Sequence, residues 1–285
     1  MAAPFTPQTA AYKLTHWLDA AELSGLPRFP VDVQALALDV GKELKWPDPI
    51  FKVEAASIPG FEGGLFRVDD RGWALLYNSE IASPGRIRFT QAHELGHYLV
   101  HRLQQDEFAC SQADVLNSQD AYEVREAEAD RFASELLMPM KKFRTLIPDR
   151  VDFDALSEGS SLFGVSLTAA AIRWIRSTDE SAVLIVSRDD FVAWSISSQR
   201  ALKNGAYIKT RGLAVPLPAG SITASHDVAA IRTGEPVSLD SWFPHAHPDA
   251  SAREMKLRCD NYGFTLTLLH LSRGDAVWPP RQESD

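Results

Sequence analysis

Five residues, His93-Glu94-Leu95-Gly96-His97, constrain this chain of 285 residues more than any other stretch. Two histidines four positions apart lie on one face of a helix, about 6 Å apart along its axis, so both imidazoles can bind one zinc ion. Glu94 then lies beside the coordination position left to water. Zinc held by three protein ligands lowers the pKa of water to about 7, and a neighbouring carboxylate can take up its proton during attack on a peptide carbonyl. The spacing therefore predicts a catalytic metal site.

The residues around this motif favour a real helix over a chance match. Ser83-Pro84 is a typical helix start, and Tyr98, Leu99 and Val100 continue an apolar face after the second histidine. We therefore expect a half-buried helix that carries the metal ligands.

The composition limits the class of protein. With 45% hydrophobic and 24% charged residues, and no run of about 18 apolar residues, the chain is expected to be soluble and globular, with no membrane span. The first ten residues lack the pattern of a signal peptide. Two cysteines, Cys110 and Cys259, are too few for a disulfide framework or a cysteine zinc site. These features predict a cytoplasmic protein.

The segment before the motif predicts helices and then a sheet. Apolar residues recur at helical spacing within residues 8–23 and 31–44. Three short runs predict a small antiparallel sheet with a turn at Gly63-Gly64, namely residues 51–55, 65–68 and 73–77. The last strand, from Ala74 to Tyr77, is the candidate edge on which an extended peptide could lie by strand addition. Residues 104–120, beyond the motif, are expected to form a loop.

A tetrahedral zinc site needs a third protein ligand from elsewhere. His101 is about 12 Å from His93 along the same helix axis, too far to share the ion. A second predicted helix, residues 121–140, carries Glu126 and Asp130 on one face.

This spacing lets Glu126 bind zinc while Asp130 accepts a hydrogen bond from the outer nitrogen of a histidine ligand. Glu128 is rotated about 200° from Glu126 and is the less favoured alternative ligand. No residue stands out as the group that stabilises the oxyanion; the candidates are Tyr98, His101 and Tyr122.

Two linked motifs resemble those of the ImmA/IrrE family of zinc metallopeptidases. They read Arg88-Phe89-Thr90-x-Ala92-His93-Glu94-Leu95-Gly96-His97 and Glu126-x-x-Ala129-Asp130-x-Phe132-Ala133-x-Glu135-Leu136-Leu137-Met138-Pro139. The resemblance implies a gluzincin-like core with His93, His97 and Glu126 as zinc ligands and Glu94 as catalytic base. It also implies that the substrate is a helix-turn-helix repressor of the XRE type, cut to release stress-response or mobile-element genes. Zinc is the expected cofactor, with manganese as an alternative in the cell.

The C-terminal half predicts a helix-turn-helix within residues 152–177, and then an α+β domain with strands at 182–186, 191–196 and 264–271. Residues 151–180 carry five acidic and two basic side chains and the whole chain has a net charge of -9, so direct DNA binding is not expected.

This layout is similar to that of the long, radiation-response members of the family, which implies an α+β chain of three parts. They are a zinc metallopeptidase domain (1–148), a helix-turn-helix-like segment (149–178) and a GAF-like sensor domain (179–285), whose ligand would be a small molecule.

These observations predict a zinc-dependent metalloendopeptidase that cleaves an XRE-type repressor during a stress or DNA-damage response. The alternative is a regulator that binds DNA or a repressor without cutting it and uses zinc as a structural support. A structural zinc is usually closed by four protein ligands, whereas this motif supplies three and a neighbouring base, which favours catalysis. A broad degradative protease is less favoured because so much of the chain lies outside the catalytic domain.

Overall fold

The computed structural model describes residues 5–57, 60–111 and 120–279. The chain divides into two compact units, Met1–Phe143 with Ser160–Ser166, and Arg144–Gly159 with Leu167–Asp285. Helices are combined with two separate sheets, which agrees with the predicted α+β class. No single helix among the described residues is both long and apolar enough to cross a membrane. The helices Phe153–Phe163 and Leu167–Ile175 pass that test only as a pair bent by 109°.

The first unit contains four long helices, each close to a predicted one: α1 (Pro7–Leu23), α2 (Val33–Glu43), α3 (Pro84–Val100) and α4 (Asp120–Leu137). The helix starts follow ordinary capping chemistry. The side chain of Thr6 accepts a hydrogen bond from the backbone N–H of Thr9, and that of Asp32 accepts one from Ala35. The short helix α5 (Met140–Leu146) follows α4.

The sheet of the first unit differs from the prediction. Its strands β1 (Ile50–Ala56), β2 (Phe61–Val68), β3 (Gly72–Asn78) and β4 (Glu107–Ser111) lie in the order β1-β3-β2-β4. Because β1 pairs parallel with β3, the sheet is mixed, and β3 is a central strand. The prediction that residues 74–77 form the edge is therefore wrong; β1 and β4 are the edges of the described sheet.

Two local predictions in this region are also wrong. Gly63 and Gly64 lie inside β2 and make no turn. Glycine occurs there because β2 passes so close to other groups that neither position has room for a side chain. Residues 107–111 form β4 against β2, although they were expected in a loop. Residues 112–119 of that predicted loop lie outside the described residues.

The second unit is built on a sheet of six antiparallel strands in the order β7-β6-β5-β10-β9-β8. The central strands β5 (Ser181–Arg188) and β10 (Phe264–Leu271) are almost wholly buried. The others are β6 (Phe191–Ser197), β7 (Val215–Pro216), β8 (Ala230–Ser238) and β9 (Ser251–Cys259). The core on one face includes Val183, Trp242 and Leu269. Helix α8 (Gln199–Lys203) follows β6.

Two helices stand where a helix-turn-helix was predicted. Helix α6 (Phe153–Phe163), whose last residues belong to the first unit, and α7 (Leu167–Ile175) are joined at Gly164, which adopts the left-handed backbone conformation with φ of +63°. The bend of 109° between the two helices, with a short glycine turn, is typical of a helix-turn-helix. The same geometry also joins many helix pairs that have only a structural role.

Candidate metal centre

Helix α3 is the most deeply buried helix of the first unit. Its N-terminus is capped by Ser83, whose hydroxyl accepts a hydrogen bond of 3.3 Å from the backbone N–H of Arg86, and Pro84 occupies the first turn. The ten residues from Thr90 to Leu99 are all buried, including both motif histidines and Glu94. Polar side chains are rarely buried in such a row unless they serve a site.

The small size of Gly96 brings α4 close to α3. A Cβ atom at Gly96 would lie 3.2 Å from the Cα of Ala129 and 3.0 Å from the ring of Phe132. This close packing of a glycine against an alanine lets the side chains that flank Ala129 on α4, Glu126 and Asp130, reach the histidines of α3. The glycine of the first motif and the alanine of the second therefore set the distance between the two helices.

Three donor atoms converge between the two helices. Nε2 of His97 lies 3.0 Å from Nε2 of His93, and the two carboxylate oxygens of Glu126 each face one histidine, with Oε2 3.1 Å from His93 Nε2 and Oε1 3.3 Å from His97 Nε2. These side chains form a group able to hold a metal ion. The side chain of His97 is fully buried and that of Glu126 is 25% exposed, so the group is open towards the glutamate side.

The donor set fits zinc. Two imidazole nitrogens and one carboxylate are common ligands of a catalytic zinc, and bond lengths of about 2.0–2.1 Å place tetrahedral ligand atoms roughly 3.3 Å apart. The three observed separations, 3.0 to 3.3 Å, are close to this value. Among the described residues no fourth histidine, cysteine or carboxylate joins the group, so one tetrahedral position remains for water or substrate.

The outer nitrogens of both histidines are held by hydrogen bonds. Nδ1 of His93 donates to Asp130 at 2.9 Å, as expected from the phase of Asp130 on α4. Nδ1 of His97 lies 3.1 Å from Nδ1 of His101, and Nε2 of His101 lies 2.9 Å from the carboxylate of Glu128. Glu128 thus contributes no atom to the metal group but supports the histidine behind it.

These contacts fix the position of each proton. A carboxylate accepts hydrogen bonds, so Nε2 of His101 carries the proton and its Nδ1 accepts from His97. His97 then has its own proton on Nδ1, and its Nε2 presents a lone pair between the helices. Asp130 places the proton of His93 in the same way. Both histidines therefore offer the unprotonated nitrogen that a metal requires.

The electrostatics favour the same protonation states. Burial lowers the pKa of His97 to about 4, and the hydrogen bond to Glu126 opposes this shift only in part. Burial alone would raise the pKa of Glu126, but its close contacts with His93 and His97 bring it well below the ordinary value. At neutral pH the group therefore holds neutral imidazole and ionised carboxylate, which are the metal-binding forms.

Glu94 is fully buried beside strand β2. A Cβ atom at Gly63 would lie 3.0 Å from a carboxylate oxygen of Glu94 and 2.3 Å from the methyl group of Thr90. Because glycine has no side chain, β2 can pass directly over this part of α3. The sheet therefore confines the carboxylate that the sequence identified as the candidate base.

The structure adds Phe108 to the site. Its ring stacks on the imidazole of His97, with the ring centres 4.7 Å apart and an angle of 20° between the planes. Of the three oxyanion candidates, Tyr98 donates its hydroxyl to the backbone carbonyl of Asp48, and His101 is held between His97 and Glu128. The side chain of Tyr122 lies outside those described.

A comparison with protein-family models identifies the type of domain that carries this group of side chains. Residues 49–174 match the model of the IrrE N-terminal-like domain, Peptidase_M78. This part of the chain is a domain of the ImmA/IrrE family. The match confirms the predicted family and indicates a peptidase. The matched residues include β1 to β4, helices α3 and α4, and nearly all of the α6–α7 pair. A search of curated proteins found no match.

Within this ImmA/IrrE domain, the structure brings together four of the five predicted site residues. His93, His97 and Glu126 converge on one possible metal position, and Asp130 contacts His93. Glu94 is buried one residue after His93 on α3. Sequence reasoning missed Phe108, Gly63 and the supporting role of His101. His101 could have been recognised as an i+4 neighbour of His97 on the same helix face, but the other two depend on how the sheet packs onto α3.

Proposed function

We propose that this protein is a zinc-dependent metalloendopeptidase. The observation that carries the proposal is the convergence of His93, His97 and Glu126 with one coordination position left open, on a helix that also buries Glu94, the residue directly after His93. Three protein ligands and a neighbouring carboxylate are the arrangement of a catalytic metal, whereas a structural zinc is usually closed by four.

Each side chain then has one task. A bound zinc ion would polarise the scissile carbonyl and make water a better nucleophile. Glu94 takes up the proton of the attacking water and delivers it to the nitrogen of the leaving amine. Asp130 and His101 keep the two ligand imidazoles in the correct tautomer. Manganese is the alternative ion for the same ligands.

We propose that the substrate is a cytoplasmic helix-turn-helix repressor of the XRE type, cleaved during a stress or DNA-damage response. Family membership supports this class of substrate, and the low cysteine content supports the cytoplasm. Strand β4 is the best place for an extended substrate segment, because it is an edge of the described sheet and its Phe108 contacts the ligand His97.

The alternative function is a regulator that acts by binding alone. The α6–α7 pair would be its DNA-contacting element, but residues 151–180 carry five acidic and two basic side chains, which opposes contact with phosphates. We propose that this pair, with the GAF-like second unit, has a structural or sensory role. An antiparallel sheet with helices beside it is compatible with a GAF-like domain.

The proposal is tested by comparing new protein N-termini in host cells that produce either the wild-type chain or Glu94→Gln, before and after DNA damage. We expect one new terminus inside a small helix-turn-helix protein, present with the wild type and absent with the variant. If the two strains yield the same termini while both proteins still alter transcription, the binding function replaces the peptidase.

A further inference from the structure

The second unit contains a basic cavity unrelated to the metal centre. Its volume is about 600 Å³, and the charged side chains that line it are Arg150, Arg253, Arg273 and Glu180, with the imidazole of His270. Three guanidinium groups in one cavity are notable in a chain with a net charge of -9. The volume lies within the range of about 300–1,000 Å³ that is typical of small-molecule sites.

Only one of these guanidinium groups is neutralised within the cavity. Arg273 forms an ion pair of 2.5 Å with Glu180. Arg253 donates from one terminal nitrogen to the carbonyl of Val151 at 2.7 Å, while its Nε is buried without a partner. Arg150 forms no hydrogen bond or ion pair with any part of the chain that the structure describes. Arg150 and Arg253 thus form no ion pair with a described residue, and the carboxylate of Asp152 acts on Arg253 only at longer range.

The two remaining guanidinium groups affect each other. Burial lowers the pKa of Arg253, and the positive charge of Arg150 lowers it further. Arg253 is half-buried and Arg150 is exposed, and an anion bound between them would relieve the repulsion of their like charges. Arginine forks match the oxygens of phosphate with several parallel hydrogen bonds, and two unbalanced positive charges match a dianion.

The backbone beside the cavity is shaped to hold Arg253. Strand β8 has a register shift against β9 between Ile231 and Glu235, and Gly234 within it has a φ of +84°. A Cβ atom at Gly234 would lie 2.8 Å from the side chain of Arg253. The bulge and the glycine therefore make the room that this arginine occupies.

His270 completes the wall from strand β10. It is 5% exposed, its ring centre lies 5.2 Å from that of Trp174, and its Nε2 forms no hydrogen bond of normal geometry with a described residue. A buried polar atom of this kind, next to two arginines with unused donors, indicates that the cavity is built for a polar guest.

We propose that this cavity binds the phosphate group of a small phosphate monoester, held between Arg150 and Arg253. The remaining volume takes the organic part of the molecule. The site belongs to the second unit alone, so the proposal does not depend on peptidase activity.

Isothermal titration of the full chain with inorganic phosphate and with AMP, at constant ionic strength set by sodium chloride, tests the proposal. The variants are Arg150→Gln and Arg253→Gln, with Arg258→Gln as control, because Arg258 lies on the same strand as Arg253 and pairs with Asp260 at the surface. We expect saturable binding to the wild type and the control, and a dissociation constant at least about tenfold higher in each cavity variant.

We expect AMP to bind more tightly than inorganic phosphate; equal binding would contradict an ester ligand and leave inorganic phosphate as the ligand of the two arginines. Unchanged binding in Arg150→Gln would overturn the proposal, because the ligand would then bind elsewhere, for example at the metal centre. A wild-type chain that binds neither ligand in the presence of the sodium chloride would also overturn it. Arg150 forms no hydrogen bond or ion pair with a described residue, so this variant remains informative if Arg253→Gln fails to fold.

Discussion

At the scale of single residues, Asp130 controls how His93 presents its nitrogen. Replacing Asp130 with alanine removes the acceptor of the 2.9 Å hydrogen bond and lets the imidazole rotate or change tautomer. We expect Asp130→Ala to weaken zinc binding by about 10–100-fold, the usual cost of losing such a partner. Competition with a chelator of known affinity measures this. Glu123→Ala, an exposed change on the same helix, should leave the affinity unaltered.

His101 should support His97 in the same way. We expect His101→Ala to weaken zinc binding by about 10–100-fold, and His101→Gln to retain more affinity, because an amide oxygen can still accept from His97 Nδ1. Glu128→Ala should cost less, since Glu128 acts through His101. Equal affinities in wild type and His101→Ala, measured by the same chelator competition, would show that His101 merely fills space.

These two supports differ in how far the sequence could predict them. Asp130 was predicted because it shares a helix face with Glu126, and such a relation is fixed by the helical repeat alone. The contact of Glu128 with His101 depends on the distance between α3 and α4, which Gly96 and Ala129 set by packing. Spacing along one helix cannot give that distance.

At the scale of elements, the passage of β2 over α3 depends on Gly63. We expect Gly63→Ala to destabilise the fold by about 1–3 kcal/mol and to reduce activity, because the new methyl group would collide with Thr90 and press on Glu94. Thermal unfolding and cleavage assays measure the two effects. Gly274→Ala, at a position with nothing within 4 Å, is the matched control and should change neither.

A double variant separates the two contacts of Gly63. Adding Thr90→Ser removes the methyl group that lies 2.3 Å from the new Cβ atom but leaves the contact with Glu94. We expect stability to recover more than activity. Full recovery of both would contradict the idea that β2 confines the catalytic carboxylate.

The helices were easier to predict than the sheet for a physical reason. Each helix has local signals, such as the caps at Asp32 and Ser83 and apolar positions at regular spacing. The parallel pairing of β1 with β3, by contrast, joins segments that are not neighbours in the chain. Strand β9 was missed because it buries Glu254, whose carboxylate accepts from Thr223 and Trp242, so its sequence lacks an apolar pattern.

At the scale of the whole molecule, stability should depend on pH through His270. Burial lowers its pKa to about 4, and the charges of Arg253 and Arg150 add to this shift. Between pH 6.5 and 4 the unfolded chain then binds a proton that the folded chain does not. The stability contributed by a neutral His270 is present in full above pH 6.5 and is lost as the pH falls through this window.

We therefore expect the wild type to lose up to about 3 kcal/mol of unfolding free energy relative to His270→Gln when the pH falls from 6.5 to 4. Urea unfolding in phosphate-free buffer measures it. His247→Gln, a change at an exposed histidine, is the control. A difference that stays constant over this window would show that His270 has an ordinary pKa in the folded chain.

The division into parts was the least predictable property of the chain. The linked motifs identified the family domain, which the match over residues 49–174 confirms. The boundaries at residues 148 and 178 remain predictions. Neither compact unit is continuous in the sequence: Arg144–Gly159 belongs to the second unit, and the next segment, Ser160–Ser166, belongs to the first. The amino-acid composition along the chain contains no signal for this interleaving.

The most direct test of the account is the zinc content per purified chain in Glu126→Ala, measured by mass spectrometry beside the wild type, Glu94→Gln and Glu128→Ala. Because Glu126 is the third donor of the group, we expect its variant to lose nearly all zinc, while Glu94→Gln keeps about one ion per chain and Glu128→Ala most of it. Wild-type zinc content in a folded Glu126→Ala protein would contradict the metal centre described here.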